Sequence, residues 1–238
     1  MEIEDKIIIV TGASRGIGLA TARYLAKEGA KVVLAARSTD ILKQLGKEIP
    51  GSFVVTADMR KPKNIKNLMD ATVKHCGRID VLINNAGQGM YGPVETIDVD
   101  KYKEIMELNV YGVLRAMQAV IPIMRKQSGG QIINVSSGLA KVYIPQIAAY
   151  SSTKYALDAI SFIASQELEK DKIIVSVIRP RMTATNFGKN SIGERPDWVT
   201  DPNEWRTSPE VDAPKKVAEK IGELIRTGQR EMWMDERA

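Results

Sequence analysis

Thr11-Gly12-Ala13-Ser14-Arg15-Gly16-Ile17-Gly18 separates a short β-branched run, Ile7–Val10, from a segment with helical apolar spacing. Glycines at such a junction allow a sharp turn and let backbone N–H groups approach a ligand closely. The helix that follows directs the partial positive charge of its N-terminus to the same place. This order of strand, glycine turn and helix is what a dinucleotide site requires, the alternative being a turn that merely connects two elements. The residues expected to contact the dinucleotide are Gly12, Ser14, Arg15, Gly16, Ile17 and Gly18.

The end of the next strand indicates which dinucleotide is bound. NAD-binding units of this kind place an acidic residue about 20 residues further on, where it holds the ribose 2′-hydroxyl. Here Arg37 stands at that end and no carboxylate is present. A guanidinium suits a 2′-phosphate, and Arg15 could reach the same group from the glycine turn. The two arginines together predict NADP(H), although each alone could be a solvated surface charge. Asp58 is then expected to be free to accept a hydrogen bond from the adenine amino group.

Working outward, strand-like apolar runs alternate with helical patterns along the chain. The predicted strands are Ile7–Val10, Lys31–Ala36, Ser52–Thr56, Val81–Asn84, Gln131–Ser136, Ile173–Ile178 and a short last one at Glu231–Met234. The predicted helices are Gly16–Glu28, Thr39–Ile49, one from Ile65 closed by Gly77, Asp100–Arg125, Ile147–Lys170 and a last one through Val217–Ile225. Continuous apolar strands separated by helices predict a parallel sheet covered on both faces. We expect one doubly wound α/β domain of the Rossmann type over residues 1–238, with a mostly parallel sheet of six to seven strands.

One long segment, residues 186–213, departs from this alternation and is rich in Pro, Gly, Asn and charged residues. Loops of this length in compact domains are usually functional or disordered. Because the segment also carries Trp198 and Trp205, we interpret it as a partly helical flap rather than as plain disorder.

The composition excludes several classes of protein. The chain has 238 residues, of which 44% are hydrophobic and 26% charged, as in ordinary globular proteins. The single histidine, His75, argues against Ser-His-Asp triads and metal sites, and the single cysteine, Cys76, forbids an intrachain disulfide. The net charge of +5 is spread along the chain and aromatic residues make up only 5%, so nucleic acid is not an expected partner. Neither a signal peptide nor a membrane-spanning run is apparent, which favours a cytoplasmic protein.

A second set of residues suggests chemistry. Tyr150 and Lys154 are four apart in a helical stretch and therefore share one face. A cation one turn away favours phenolate and lowers the pKa of a tyrosine toward working pH. Ser137 ends the fifth strand, where the active-site groups of open α/β sheets collect. Taken alone, the Tyr150 and Lys154 pair is an ordinary contact between neighbours on a helix.

With these residues included, the chain resembles the short-chain dehydrogenase/reductases over essentially its whole length, and within them the 3-oxoacyl-ACP reductases and related carbonyl reductases. The stretch TGASRGIG is similar to the family's cofactor turn, and Asn84-Asn85-Ala86-Gly87 to its strand-four motif. The catalytic asparagine, serine, tyrosine and lysine of the family match Asn109, Ser137, Tyr150 and Lys154.

The resemblance implies hydride transfer between a nicotinamide and a carbonyl or alcohol carbon. Tyr150 would be the acid/base, Ser137 would bind the substrate oxygen and Lys154 the nicotinamide ribose, while Asn109 would hold a water that relays the proton. The further residues implied to contact the cofactor are Asn85, Ala86, Gly87, Pro180, Thr183 and Thr185. Since NADPH is kept reduced in cells, reduction of a ketone or aldehyde is the expected direction. A non-catalytic, NADPH-binding redox sensor is the alternative.

The chain departs from the family pattern at two places. Arg181 stands where a glycine usually follows the proline, so that either the backbone is strained there or Arg181 selects an anionic substrate. The C-terminus lacks the glycine pair of many tetrameric relatives, which argues against a tetramer built through the tails and leaves a homodimer through the long helices open. The residues expected to line the substrate site, besides the flap, are Gln88, Met90, Tyr91, Leu139, Val142 and Tyr143.

Overall fold

A computed structural model describes residues 1–196 and 211–234, whose strands form one parallel sheet. The strands are β1 (Ile7–Thr11), β2 (Lys31–Ala36), β3 (Phe53–Thr56), β4 (Val81–Asn84), β5 (Gly130–Val135), β6 (Ile173–Arg179) and β7 (Glu231–Trp233). Their order across the sheet is β3-β2-β1-β4-β5-β6-β7, and every neighbouring pair is parallel. In the central register, Ile9 of β1 lies between Val33 and Leu82.

Helices cover both faces of this sheet. They are α1 (Gly16–Lys27), α2 (Thr39–Glu48), α3 (Pro62–Cys76), α4 (Val99–Met106), α5 (Gly112–Lys126), α6 (Ala148–Glu167) and α7 (Pro214–Thr227). Proline opens α3 and α7, where its missing N–H has no helical partner to lose. Gly77 and Gly228 end the same two helices with positive φ of 81° and 68°, a conformation that glycine adopts without strain.

Two hydrophobic cores follow from the alternation of side chains along the strands. Ile8 and Val10 of β1 pack on one face with α1, α2 and α7, while Ile7 and Ile9 pack on the other with α3, α5 and α6. Because both faces are buried, strands such as β1 and β2 are apolar at nearly every residue rather than at every second one. The predicted doubly wound fold, the number of strands and the short last strand are confirmed.

The structure differs from the predicted elements in three places. The predicted helix Asp100–Arg125 is α4 and α5 joined by a π-helical turn, Glu107–Tyr111. The helix predicted from Ile65 starts earlier, at Pro62. In the predicted flap, the described part holds a short 3₁₀ turn, Gly188–Asn190, whereas Trp198 and Trp205 lie outside the described residues.

Candidate active site

A cleft of about 570 Å³ opens at the carboxyl ends of the strands, where the strand order reverses between β1 and β4. Open α/β sheets bind their ligands at this switch point. The cleft brings together all the predicted catalytic and cofactor-binding residues except Gly18 and Asn109. Those that line it are Gly12, Ser14, Arg15, Gly16, Ile17, Arg37, Asp58, Asn85, Ala86, Gly87, Ser137, Tyr150, Lys154, Pro180, Thr183 and Thr185.

The glycine turn is shaped to bring backbone close to a ligand. Gly12 and Gly16 have positive φ of 66° and 55°. A Cβ at Gly12 would lie 2.9 Å from Nδ2 of Asn85, so a larger residue does not fit there. Helix α1 begins at Gly16 with no acidic residue in its first turn and no capping side chain, which leaves its N–H dipoles to an anion. A cofactor pyrophosphate fits this arrangement.

Gly18 is buried behind the turn, and a Cβ on it would lie 2.4 Å from the carbonyl oxygen of Gly12. Gly18 therefore allows the helix to pack against the turn and is not among the residues that line the cleft. Its contact with the cofactor stays a prediction.

The adenosine end of the cleft holds the predicted arginines. Arg15 and Arg37 are both exposed at the edge of the cleft, and Nη1 of Arg15 donates to Oδ1 of Asn190 at 3.3 Å. Asp58 is not free as expected, since its carboxylate accepts hydrogen bonds from Nη2 of Arg60 at 2.7 Å and from Nε at 3.0 Å. These hydrogen bonds hold the pKa of Asp58 below its usual value. Its contact with an adenine remains a prediction.

Tyr150 and Lys154 face the cleft from α6. Nζ of Lys154 donates to the carbonyl oxygen of Val135 at 2.9 Å and lies 5.8 Å from the centroid of the Tyr150 ring. Burial lowers the pKa of Lys154 to about 8, against the opposing charge of Asp158. For Tyr150 the same desolvation raises the pKa, because it disfavours the charged phenolate, although a hydrogen bond with Ser137 acts to lower it. Desolvation dominates, so the net shift of the Tyr150 pKa is opposite to the lowering expected from Lys154.

Asn109 lies beneath the cleft in the π-helical turn and is fully buried. Its Oδ1 accepts from the backbone N–H of Gln88 at 3.0 Å, and its Nδ2 donates to the Gln88 carbonyl at 2.9 Å and to Oγ1 of Thr153 at 3.1 Å. Thr153 in turn donates to the carbonyl oxygen of Tyr150 at 2.7 Å. Sequence reasoning missed Thr153 as a link between Asn109 and Tyr150, because its position beside Lys154 indicates nothing about a partner on another helix.

Arg181 resolves one of the open alternatives. Its backbone is not in the left-handed region, so the strained alternative is wrong. Its guanidinium instead pairs with the carboxylate of Asp212, with both Nε and Nη2 at 3.2 Å from its oxygens. Burial of Asp212 opposes its charge, but hydrogen bonds from Arg181 and Lys216 outweigh this and lower its pKa.

A segment that we call the roof segment, residues 186–193, lies across the substrate end of the cleft. Its Ile192 pairs with the stretch after β4, donating to the Gly89 carbonyl at 3.0 Å and accepting from the Tyr91 N–H at 2.8 Å. Phe187 lines the cleft, with its ring centroid 5.5 Å from that of Tyr150.

Four of the predicted substrate-lining residues do line the cleft: Gln88, Met90, Tyr91 and Leu139. Val142 and Tyr143 are not among its lining residues. Tyr143 is 90% exposed and stacks on Tyr155.

Comparison with known proteins assigns the family. The short chain dehydrogenase family matches residues 6–195. An uncharacterized oxidoreductase of Methylorubrum extorquens is 38% identical over 189 residues, which are 77% of this chain and 75% of that protein. The chain therefore belongs to the short chain dehydrogenase family of oxidoreductases, as the motifs predicted.

Solved structures agree with this assignment. A 3-ketoacyl-(acyl-carrier-protein) reductase from Brucella melitensis, complexed with NADH, has a TM-score of 0.89 at 25% identity, covering 99% of this chain and 98% of its own. An alcohol dehydrogenase from the archaeon Thermococcus sibiricus, complexed with 5-hydroxy-NADP, has a TM-score of 0.84 at 27% identity, covering 97% and 96%. Among the described helices, none is both long and apolar enough to cross a membrane.

Proposed function

We propose that this protein is an NADP(H)-dependent reductase of ketones or aldehydes. The observation that carries the proposal is the meeting of Ser137, Tyr150 and Lys154 in one cleft with the glycine turn at Gly12. A bound nicotinamide cofactor supplies or accepts the hydride in such a site. The chain must then position the carbonyl and move one proton, and it has residues of the right chemistry for both tasks.

Tyr150 is the proposed proton donor. A tyrosine is protonated at neutral pH, so the phenol has a proton to give to a developing alkoxide, as reduction requires. Ser137, which acts to lower the pKa of Tyr150, is proposed to orient the same substrate oxygen. In the opposite direction of reaction the phenolate would accept the proton, and the nearby ammonium of Lys154 would stabilise it.

Lys154 and Asn109 are proposed to hold Tyr150 in position and to help return a proton to it. The Lys154 ammonium is held at the Val135 carbonyl, from which it would also reach the ribose hydroxyls of a bound cofactor. Asn109 ties the stretch after β4 to α6 through Gln88 and Thr153. Both N–H groups of the Asn109 amide are engaged by Gln88 and Thr153, so a water of the predicted relay would have to donate to its Oδ1 or bind another group.

The preference for NADP(H) rests on charge at the adenosine end. Arg15 and Arg37 stand at the edge of the cleft, and the end of β2 carries no carboxylate. Asp58, an acidic residue that lines the cleft, forms an ion pair with Arg60. A 2′-phosphate would therefore meet two cations and little opposing negative charge.

We also propose a cytoplasmic homo-oligomer, a dimer or a tetramer.

Fluorescence titration of the purified protein with NADPH and with NADH tests the cofactor preference. We expect NADPH to bind at least tenfold more tightly, a difference of about 1.4 kcal/mol, and Arg37→Ala to remove most of this difference. Arg23→Ala is the matched control, since Arg23 is an exposed arginine of α1 that pairs with Glu48. Equal affinities of the wild-type protein for both cofactors would overturn the NADP(H) assignment.

Turnover tests the reaction itself. A panel of ketones and aldehydes is offered with NADPH, and oxidation of the cofactor is followed by absorbance. Reduction of at least one carbonyl, abolished in Tyr150→Phe, is the expected result. Tight NADPH binding with no turnover across the panel would instead favour the non-catalytic sensor.

A further inference from the structure

The substrate end of the cleft gathers aromatic rings around the proposed acid/base. Phe187 lies against Tyr150 with a ring-centroid distance of 5.5 Å and an angle of 57° between the ring planes. Tyr91 is the third ring, and its hydroxyl lies 3.5 Å from where a Cβ on Gly188 would stand. Both Tyr91 and Phe187 line the cleft. Aromatic residues are only 5% of the chain, so three rings at one end of one cleft are a marked concentration.

The main chain is built to bring Phe187 this close. A Cβ on Gly89 would lie 3.0 Å from Cε1 of Phe187 and 2.3 Å from Oγ of Ser191, so any side chain there would push the roof segment away. The backbone pairing of Ile192 with the stretch after β4 holds the roof segment at that distance. Phe187 itself is 39% exposed, which leaves part of its ring available to a ligand.

Both apolar and polar side chains line this end. Among the described residues, the apolar ones are Met90, Ile144, Ile147, Leu139 and Met182, and the polar ones include Gln88, Asn190 and Ser191. The charged side chains that line it, among residues 1–196 and 211–234, are Lys154, Arg181 and Arg195. Each has a protein partner: Lys154 the Val135 carbonyl, Arg181 the Asp212 carboxylate, and Arg195 likewise a protein group. An ionised group on the substrate would have to compete with the Asp212 carboxylate for Arg181, whereas a flat apolar group would lie among the rings.

We infer that the substrate is an uncharged carbonyl compound with an aromatic group next to the carbonyl, and that Phe187 selects it by packing against that group. Aromatic rings contact each other favourably at centroid distances of about 4.5–7 Å, the range in which Phe187 already meets Tyr150. A substrate ring beside the Tyr150 phenol would therefore contact Phe187 while its carbonyl lies at the proton donor. This inference rests on the proposed reductase function.

A pair of ketones of nearly equal size tests the aromatic preference. Values of kcat/KM are measured with NADPH for acetophenone and for cyclohexyl methyl ketone, and their ratio is compared between variants so that the intrinsic reactivities of the two ketones cancel. We expect Phe187→Leu to lower the ratio by about threefold to tenfold and Phe187→Trp to retain it. Tyr143→Leu is the matched control, because it removes an exposed ring outside the lining of the cleft.

A second pair tests the charge. Levulinate and its uncharged methyl ester differ in the carboxylate, and we expect the ester to be reduced with the higher kcat/KM. Faster reduction of levulinate would mean that Arg181 selects anions and would overturn the uncharged part of the inference. An equal fall in kcat/KM for acetophenone and for cyclohexyl methyl ketone in Phe187→Leu would overturn the aromatic part of the inference and leave the proposed function intact.

Binding separates failure of the inference from failure of the reaction. Benzamide and cyclohexanecarboxamide, which are not reduced, are titrated calorimetrically into the NADPH-loaded protein. Tighter binding of benzamide, lost in Phe187→Leu, is the expected result. The same preference without turnover of any carbonyl would overturn the proposed function and uphold the aromatic site, whereas equal binding of both amides would overturn the site.

Discussion

The two sides of the cleft are held in different ways. On one side, Asn109, Thr153 and Lys154 are buried, and their polar groups bond to one another or to backbone carbonyls. On the other side, the roof segment (residues 186–193) is largely exposed and is attached mainly through Ile192 and Asn190. We call the first set, together with Ser137 and Tyr150, the catalytic frame.

This difference matches what the proposed function would require of each side. Proton transfer needs donor and acceptor positions fixed within a fraction of an ångström, and groups on helices and strands with saturated hydrogen bonds provide that. A segment that contacts the substrate must admit and release it, so weak attachment is an advantage there. Changes in the frame should therefore affect the chemical step, and changes in the roof segment should affect substrate affinity.

The largest expected effect comes from removing the phenol of the frame. Tyr150→Phe keeps the ring and its contact with Phe187 but has no proton to give, so we expect kcat to fall by about 10²- to 10⁴-fold. Affinity for NADPH and the unfolding midpoint in urea should stay close to wild type. A change in KM alone, with kcat unchanged, would contradict the assignment of the phenol to the chemical step.

Burial of Lys154 should appear in the pH dependence of stability. Its pKa is about 8 in the folded protein and about 10.4 in an unfolded chain. Between these values the unfolded chain binds the additional proton, so stability gains from rising pH. The unfolding free energy of wild type relative to Lys154→Met should therefore rise by roughly 3 kcal/mol from pH 8 to above pH 10.

Urea unfolding at a series of pH values measures this difference. Lys189→Met is the control from the roof segment and provides the baseline for losing an exposed ammonium. A difference between wild type and Lys154→Met that stays flat from pH 8 to pH 10 would mean that Lys154 is not desolvated as the structure indicates.

The smallest expected effect distinguishes two consequences of substituting a glycine, namely weaker attachment of the roof segment and backbone strain alone. Gly193 has φ of 83°, and a Cβ on it would lie 2.3 Å from the Tyr91 carbonyl oxygen. Gly51 has a similar φ of 73° with nothing within 4 Å. Each alanine should lose about 1 kcal/mol of stability by putting a side chain in the left-handed region, and Gly193→Ala should lose more because of its clash with the Tyr91 carbonyl.

The two variants should differ in kinetics. We expect Gly193→Ala to raise KM for a ketone by about tenfold with little change in kcat, because it displaces the roof segment, while Gly51→Ala leaves both constants unchanged. Steady-state kinetics with NADPH at saturation measures this. Equal effects of the two substitutions would mean that the contact between the roof segment and Tyr91 does not matter for substrate affinity.

Most of the fold was predictable because its signals are local. Continuous apolar runs such as Val81–Asn84 identify strands buried on both faces, and the glycine turn identifies where the first helix starts. The predicted bounds of some elements were less accurate, and the reason is again physical. The π-helical turn at Glu107–Tyr111 leaves the apolar pattern of a helix nearly intact, so periodicity cannot distinguish it from a continuous helix.

Arg181 and Asp58 illustrate what local patterns leave out. A missing glycine suggested strain or an anion site, whereas Arg181 pairs with Asp212, 31 residues away. Asp58 was expected to be free, yet the guanidinium of Arg60, two residues away, reaches back to it. Side chains choose partners by distance in the folded chain, and a sequence motif does not state those distances.

The parallel sheet and the glycine turn could be inferred from the chain alone, because periodicity and motif spacing act over one or two elements, whereas Ser137, Tyr150 and Lys154 were assigned a role through the resemblance to the family. Folding was needed to bring Asn109 to Thr153 across 44 residues and to set Phe187 against Tyr150. These contacts depend on how helices and loops pack on the sheet. Packing is a property of the whole chain, since every neighbour restricts where a side chain can lie.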